Sequence, residues 1–273
     1  FATIQDAGRP GHLSEGVALS GAADRSALTD ANRLVGNAPA AAGVEVTLGG
    51  FRATAARDLW VAITGAWGEV RIAGREVDAY RPQPWPAGTG LELAPFRAGV
   101  RGVLAVRGGV AAESVLGSRS TDVLARLGPP PLRAGDLVHA GFATAEVPAV
   151  DGFPWSIPSA VLEVGLRPGP RADWFTPASV DALTDASWTV STDIDRIGIR
   201  LDGPVLERTR RDELPSEGMR PGAVQVPPHG RPVILLADGP VTGGYPVIGV
   251  IPDAALDAFA QVRPGDRVRF RRA

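Results

Sequence analysis

A mainly β protein with a few helices, arranged as two β-barrel-like halves, is what this 273-residue sequence predicts. Three observations lead there. Short valine- and leucine-rich runs such as VEVTL, LWVAIT and LELA recur at close spacing, each bounded by Gly or Pro. The 34 glycines and 25 prolines are spread between those runs, as dense turns require, rather than gathered into one low-complexity segment. The phrase AGDLV at 134–138 returns as PGDRV at 264–268, and VEVTLGG has a counterpart in LEVGLRPG, so each half closes with a similar turn and strand. A hydrophobic share of 44% is enough for a buried core.

The elements follow in order. Ala2 to Gln5 reads as a strand and residues 6–11 as a turn. Residues 16–37, GVALSGAADRSALTDANRLVGN, read as the best-marked helix. Ser20 is its expected N-cap and Asp24 falls in its first turn. Leu28, Ala31, Leu34 and Val35 share one face, and Gly36 with Asn37 closes the end. From Val44 to Val110 the pattern is strand-turn-strand, through VEVTL, LWVAIT, EVRIAG, LELA and VLAVRGGV. Residues 115–128 read as a polar turn leading into a short helix, and RAGDLVHAG as a turn feeding a strand. Residues 144–160 lose apolar periodicity and carry three prolines, which sets a boundary between a domain of residues 1–150 and one of 151–273. The second half restarts with the strand VLEVGLRPGP, the helix PASVDALTDA and the strand SWTVST. DIDRIGIRLDG follows, then two apolar β-like runs with glycine- and proline-rich turns over 216–251, a short helix after Asp253, and the closing PGDRVRFRR.

Composition excludes several chemistries. A net charge of −2 argues against a nucleic-acid or membrane surface. No apolar run reaches the roughly 18 residues of a membrane span. With no leader-like start and no cysteine, the expectation is a cytoplasmic protein without disulfides, thiolate metal sites or a Cys nucleophile. All 28 basic residues are arginine. Without lysine the chain cannot carry biotin or lipoate, form a Schiff base or supply a Walker-type lysine. An anionic ligand has to be held by arginine and backbone N–H groups.

His12, His139 and His229 are scattered, so no metal site is expected. Neither a GxSxG elbow nor a GxxxxGK[ST] loop occurs. Four polar turns remain. Gln5-Asp6 with Arg9 either clamps a small polar substrate or closes a turn. Ser20-Gly21 with Asp24 and Asn32 either offers a helix N-terminus to an anion or only caps the helix. Gly117 to Thr121, with Arg119 and Ser120 between them, suits phosphate or carboxylate, and equally a solvated loop. Asp238 to Pro246 packs an acid, the hydroxyls of Thr242 and Tyr245, and the Gly243-Gly244 pair into nine residues. That combination exceeds what a core strand needs, and the glycines let backbone approach a ligand. Asp193, Asp195 and Arg196 suggest an ion pair at a strand start.

TIQDAGRPG, SGAADRSALTDANRLVGN, VEVTLGG, AITGA, LAVRGGV, VLGSRST, DRIGIRL, AVQVPPHGRPVILLAD and TGGYPVIG occur in one order over nearly the whole chain. Together they resemble the biotin-dependent carboxyltransferase A/B-domain family. That family includes the C-type subunit of bacterial 5-oxoprolinase, the regulator KipA, allophanate hydrolase subunit 2 and the carboxyltransferase region of urea carboxylase. The resemblance implies tandem cyclophilin-like β-barrel domains. It also implies a partner of the KipI type, which is the B-type component of 5-oxoprolinase or allophanate hydrolase subunit 1, together with an A-type component. The implied activity is ATP-dependent opening of the 5-oxoproline lactam to glutamate, through a phosphorylated lactam oxygen, with ATP held mainly by a partner. Two alternatives follow from the same resemblance: carboxyl transfer from carboxybiotin to urea-like amides, and a KipA-type regulatory module without turnover. In each case the biotin belongs to another chain.

For the small amide substrate the resemblance points to Ser20, Asn32, Arg119, Ser120, Thr121, Gln225, Thr242, Gly243 and Gly244 as binding residues. Asp24, Asp238 and Tyr245 are its candidate catalytic groups, and Gln225 alternatively satisfies buried backbone. The sequence departs from the family pattern at Ala23 and Ile197, at Gly239-Pro240 and Val241, and at Val247, where a basic residue is frequent.

Overall fold

The computed structural model describes residues 1–143, 146, 152–155, 157, 159–210 and 212–273. The expected boundary between residues 150 and 151 lies outside them. The chain divides into two compact units. The first comprises Phe1–Arg9, Ser20–Asp122 and Arg126–Pro158; the second comprises Pro10–Leu19, Val123–Ala125 and Ser159–Ala273.

The first unit is built on antiparallel sheets. In the five-stranded sheet the strands run Ala2–Gln5, Gly43–Thr47, Ala98–Val106, Leu59–Trp67 and Gln83–Trp85 in spatial order. A four-stranded sheet orders Phe51–Thr54, Gly90–Leu93, Val70–Ile72 and Arg75–Val77. The strand period of two explains their faces. In Gly90–Leu93, Leu91 and Leu93 are buried while Gly90 and Glu92 are exposed. The Leu59–Trp67 strand, fourth in the five-stranded order, is buried on both sides. Val61 and Ile63 enter the main core with Val44, Leu91 and Leu104, while Ala62 faces the other way with Val103 and Ala105. That second face receives helix α1, Arg25–Leu34, through Leu28, Ala31 and Leu34.

α1 starts later than its sequence suggests. Asp24, not Ser20, is the N-cap: its Oδ1 accepts from the Ala27 N–H at 2.8 Å. Ser20 instead has a left-handed backbone, φ 55°, and Gly21 follows at φ 87°. A Cβ on Gly21 would lie 2.8 Å from the Gly8 nitrogen, so only glycine lets this loop pack on the 6–8 turn. The short helix expected after residue 115 is absent too; 115–128 is turns and isolated bridges.

The second unit closes a seven-stranded barrel. Its order is Val161–Pro168, Val247–Val250, Ala223–Gln225, Val233–Leu235, Gly198–Asp202, Trp188–Ile194 and Arg267–Arg272. Parallel pairing of the first and last of these completes the ring. Arg267–Arg272 alternates cleanly, with Val268 and Phe270 inside and arginines outside. Helix α2, Pro177–Asp185, is capped by the Thr176 side chain, which accepts from the Ser179 N–H. Trp188 fills the core, its Nε1 donating to the Leu183 carbonyl at 3.0 Å. The segment after Asp253 forms one 3-10 turn and the short helix α3, Leu256–Phe259.

The recurring AGD/PGD phrases fold alike. Asp136 Oδ2 accepts from the Arg133 N–H and Asp266 Oδ2 from the Arg263 N–H, each at 2.7 Å. Gly135 and Gly265 both have φ 92°. No helix among the described residues is long and apolar enough to cross a membrane.

Candidate functional site

The first three polar turns meet inside the first unit, around Asp6. Its Oδ1 accepts from Ser118 Oγ and Ser120 Oγ at 2.6 Å each and from the Gly8 N–H at 2.8 Å; its Oδ2 accepts from the Arg119 N–H at 2.6 Å. The Asp6 N–H in turn donates to Ser120 Oγ. Ser20 Oγ and Gln5 Nε2 both donate to the Thr121 carbonyl, and Arg9 Nη2 donates to that of Ser120. Thr121 Oγ1 donates to the Pro129 carbonyl at 2.8 Å. Thus Ser20, Arg119, Ser120 and Thr121 are brought together. Their hydroxyls, and the Arg119 N–H, are spent on Asp6 and on the Thr121 and Pro129 carbonyls. Ser20, Ser120 and Thr121 are also buried.

This has a chemical consequence. The turn 117–121 offers the donors a phosphate needs, but an internal carboxylate already holds them. A nucleotide phosphate there would face the Asp6 charge and compete for the same hydrogens. The turn does not fit an ATP phosphate.

Asp24 and Asn32 sit on α1. Asn32 is fully buried. Its Nδ2 donates to the Pro39 and Ala41 carbonyls, and its Oδ1 accepts from Asn37 Nδ2. It pins the chain after the helix. Asp24 acts electrostatically on Tyr80, whose phenol is pushed up by burial, drawn back by a hydrogen bond with Gly65, and pushed up further by Asp24 and Asp30. Tyr80 helps line an open pocket of about 470 Å³ with Trp67, Arg81, Phe153 and Trp155. The aromatic faces there already have neighbours: Trp67 and Trp155 stack at 5.7 Å, Arg97 lies over Trp67 and Arg33 over Phe153.

The remaining candidates belong to the second unit. Asp238 is fully buried and grips a buried guanidinium: Arg196 Nε donates to Oδ2 at 2.8 Å and Nη2 to Oδ1 at 2.9 Å. The Val123 N–H also donates to Oδ2. Arg196 therefore pairs with Asp238, far from it in sequence. Asp195 Oδ1 accepts from the Ile197 and Gly198 N–H groups, while Asp193 pairs with Arg200 at 3.1 Å.

The turn after Asp238 is more open. Thr242–Gly243 pairs with Glu217–Gly218 as a two-stranded ribbon. Thr242, Gly244 and Tyr245 are exposed, Tyr245 by 43%. Gln225 ends a barrel strand beside them; its Oε1 lies 3.8 Å from where a Cβ on Gly243 would be. A Cβ on Gly243 would meet the Met219 side chain first, at 3.2 Å. Glu217 is held well below the usual carboxylate range by its hydrogen bond from Arg171, whose own pKa rises in return.

One further residue carries no signal in the sequence. Arg208 Nη2 donates to the Val226 carbonyl, and the Val226 N–H donates to the Pro246 carbonyl at 3.0 Å. Val226 thus links the guanidinium to Pro246, at the end of the turn. Burial lowers the pKa of Arg208 and Tyr245 raises it. Its surroundings in sequence, LERTRRDE, hold three arginines and no spacing that would select one. Among the described residues no three His, Asp or Glu side chains gather as metal ligands.

Comparison with known proteins agrees with this architecture. Residues 15–272 match the family described as carboxyltransferase domain, subdomain A and B. The C-type subunit of 5-oxoprolinase from Escherichia coli K12 is 37% identical over 99% of this chain and 87% of its own length. The crystal structure of TTHA0988 superposes with a TM-score of 0.88 at 36% identity, covering 99% of this chain and 53% of that one. The urea amidolyase of K. lactis superposes with a TM-score of 0.92 at 26% identity, covering 99% of this chain and 18% of that one. The chain thus spans about half of the TTHA0988 chain and less than a fifth of the urea amidolyase. It belongs to the carboxyltransferase subdomain A and B family.

Proposed function

We propose that this member of the family is the C-type subunit of an ATP-dependent 5-oxoprolinase-like amidohydrolase, opening the lactam of 5-oxoproline to glutamate with A- and B-type partner subunits. The observation that carries this reading is the 37% identity to the C-type subunit of 5-oxoprolinase, over 99% of this chain and 87% of the relative. The geometry supports the same chemistry. The exposed turn Thr242–Tyr245, with Gln225 beside it, offers hydroxyls, an amide and the Gly244 N–H group. Opening a lactam needs such donors aimed at an oxygen that gains negative charge. Asp238 does not serve as acid or base in this proposal, because a buried guanidinium holds both its oxygens. Tyr245 is the better-placed proton carrier, since its side chain is accessible.

The nucleotide belongs to a partner subunit in this reading. The chain has no lysine, and its one phosphate-suited turn is filled by Asp6. What this chain contributes is a rigid barrel rim that holds and orients the amide.

Co-expression with the A- and B-type subunits, followed by an assay of ATP-dependent glutamate release from 5-oxoproline, tests the proposal. Release that depends on this chain is the expected result; equal release without it would sink the reading. A second reading, carboxyl transfer to a urea-like amide, draws on the 0.92 TM-score to a urea amidolyase. It predicts carboxylation of urea when a carboxybiotin-bearing partner is supplied.

A further inference from the structure

We propose that Arg208 is a carboxylate-binding residue of the Thr242–Tyr245 turn, so that this site takes a small amide carrying its own carboxylate and prefers an acidic lactam to neutral urea. The inference rests on the amide-binding reading above and names the part of the ligand that reading leaves unassigned.

Its basis is a contrast among the arginines of the second unit. Arg171 pairs with Glu217, Arg196 with Asp238, Arg200 with Asp193, Arg210 with Asp212 and Arg231 with Asp202. Arg208 has no carboxylate partner among the described residues; the same holds for Arg167, Arg220 and Arg267, but those three are exposed and Arg208 is half-buried. One of its nitrogens is tethered to the Val226 carbonyl. The Nε and Nη1 donors have no acceptor among the described residues. A half-buried guanidinium with unspent donors favours an anion, and a carboxylate matches its planar fork.

The surroundings fix the rest of the ligand. Val226 joins Arg208 to Pro246, the residue after Tyr245. Gln225 is the residue before Val226, and its Oε1 lies 3.8 Å from the Cβ position of Gly243. One guanidinium, one phenol, one amide and the Gly243-Gly244 backbone therefore border the same rim. A ligand with a carboxylate at one end and a ring amide at the other can use all of them. Urea has no group for Arg208. Burial weakens the proton affinity of this guanidinium, as expected where no anion yet balances its charge.

The test uses the full chain assembled with its partner subunits. Arg208→Met and Arg208→Lys are compared with the parent on 5-oxoproline, and 2-pyrrolidinone, the same lactam without the carboxylate, is used as substrate or competitive inhibitor. For Arg208→Met the KM for 5-oxoproline should rise about 10- to 100-fold, the scale of one lost charged hydrogen-bonding partner. Its kcat should change little, and the constant for 2-pyrrolidinone should stay within about twofold. Arg208→Lys should recover part of the affinity for the acid only. Equal losses on both lactams, or an unchanged KM for 5-oxoproline, would overturn the assignment. If the assembled parent complex shows no turnover, the functional reading fails, and calorimetric titration of the full chain decides this inference alone. Binding of 5-oxoproline that Arg208→Met abolishes supports a carboxylate site. Absence of binding, or binding indifferent to the substitution, removes it.

Discussion

Two buried carboxylates, one in each unit, are held in opposite ways. Asp6 is held by two serine hydroxyls and two backbone N–H groups. Asp238 is held by both arms of the Arg196 guanidinium and the Val123 N–H. Neutral donors spread the Asp6 charge over a cluster of short bonds; Asp238 faces an opposite charge. Removing a single donor from Asp6 leaves several others. Removing Arg196 takes the opposite charge away from a fully buried carboxylate. Structure and chemistry also part here: both acids are committed inside the protein, while the exposed turn four residues beyond Asp238 is not.

The largest expected effect breaks the charged arrangement. Arg196→Met should destabilise the protein by about 3–5 kcal/mol, the cost of an uncompensated buried charge. Urea unfolding measures it, and a loss below about 1 kcal/mol would mean that the pair is not buried as described. Asp238→Asn removes the charge that Arg196 requires, so stability and turnover should fall together. Turnover lost at full stability would instead make Asp238 a chemical participant.

Asp6→Ala sharpens the contrast from the other side. It strands Ser118 and Ser120, but their hydroxyls can turn toward each other and toward nearby backbone. A loss of about 1–3 kcal/mol is expected, smaller than for Arg196→Met. The reverse order in urea unfolding would reject the idea that neutral donors are the more replaceable.

Asp24→Ala comes third, at about 1 kcal/mol for a lost helix cap. Asp24→Ser distinguishes its two roles. A serine cap should restore thermal stability; turnover that stays low despite that recovery would show that the carboxylate itself takes part in the reaction.

Much of the fold was legible because it follows from local pattern. The alternation in LELA and RVRFRR fixes which face is buried, and the paired AGD/PGD phrases fold into matching turns because Gly135 and Gly265 permit the same φ. The start of α1 was misplaced because Ser20 and Asp24 are both good caps, and nothing local reveals that Ser20 takes a left-handed conformation to reach Thr121. The polar turns were found, but not their closure. The bonds from Asp6 to Ser118 and Ser120 span more than a hundred residues, and no spacing rule reveals them. Asp238 looked available for the same reason, since Arg196 lies far from it in sequence. Arg208 is invisible in the sequence because what sets it apart is half-burial without a carboxylate partner among the described residues.

The smallest expected change in stability is the sharpest test of the open turn. Tyr245 is 43% exposed, and its hydroxyl serves no helix cap or ion pair among the described residues. Removing that oxygen in Tyr245→Phe leaves the ring in place. It should shift the unfolding free energy by no more than about 0.5 kcal/mol, as for other exposed sites. Turnover should behave differently. If the phenol donates to the amide oxygen or carries its proton, kcat should fall about 10²–10⁴-fold while KM changes little. Neither buried acid can give that combination, because substituting Asp6 or Asp238 disturbs the packing that holds the rest of its unit. Parent-like kcat in Tyr245→Phe would remove the phenol from the chemistry and leave the turn with binding alone.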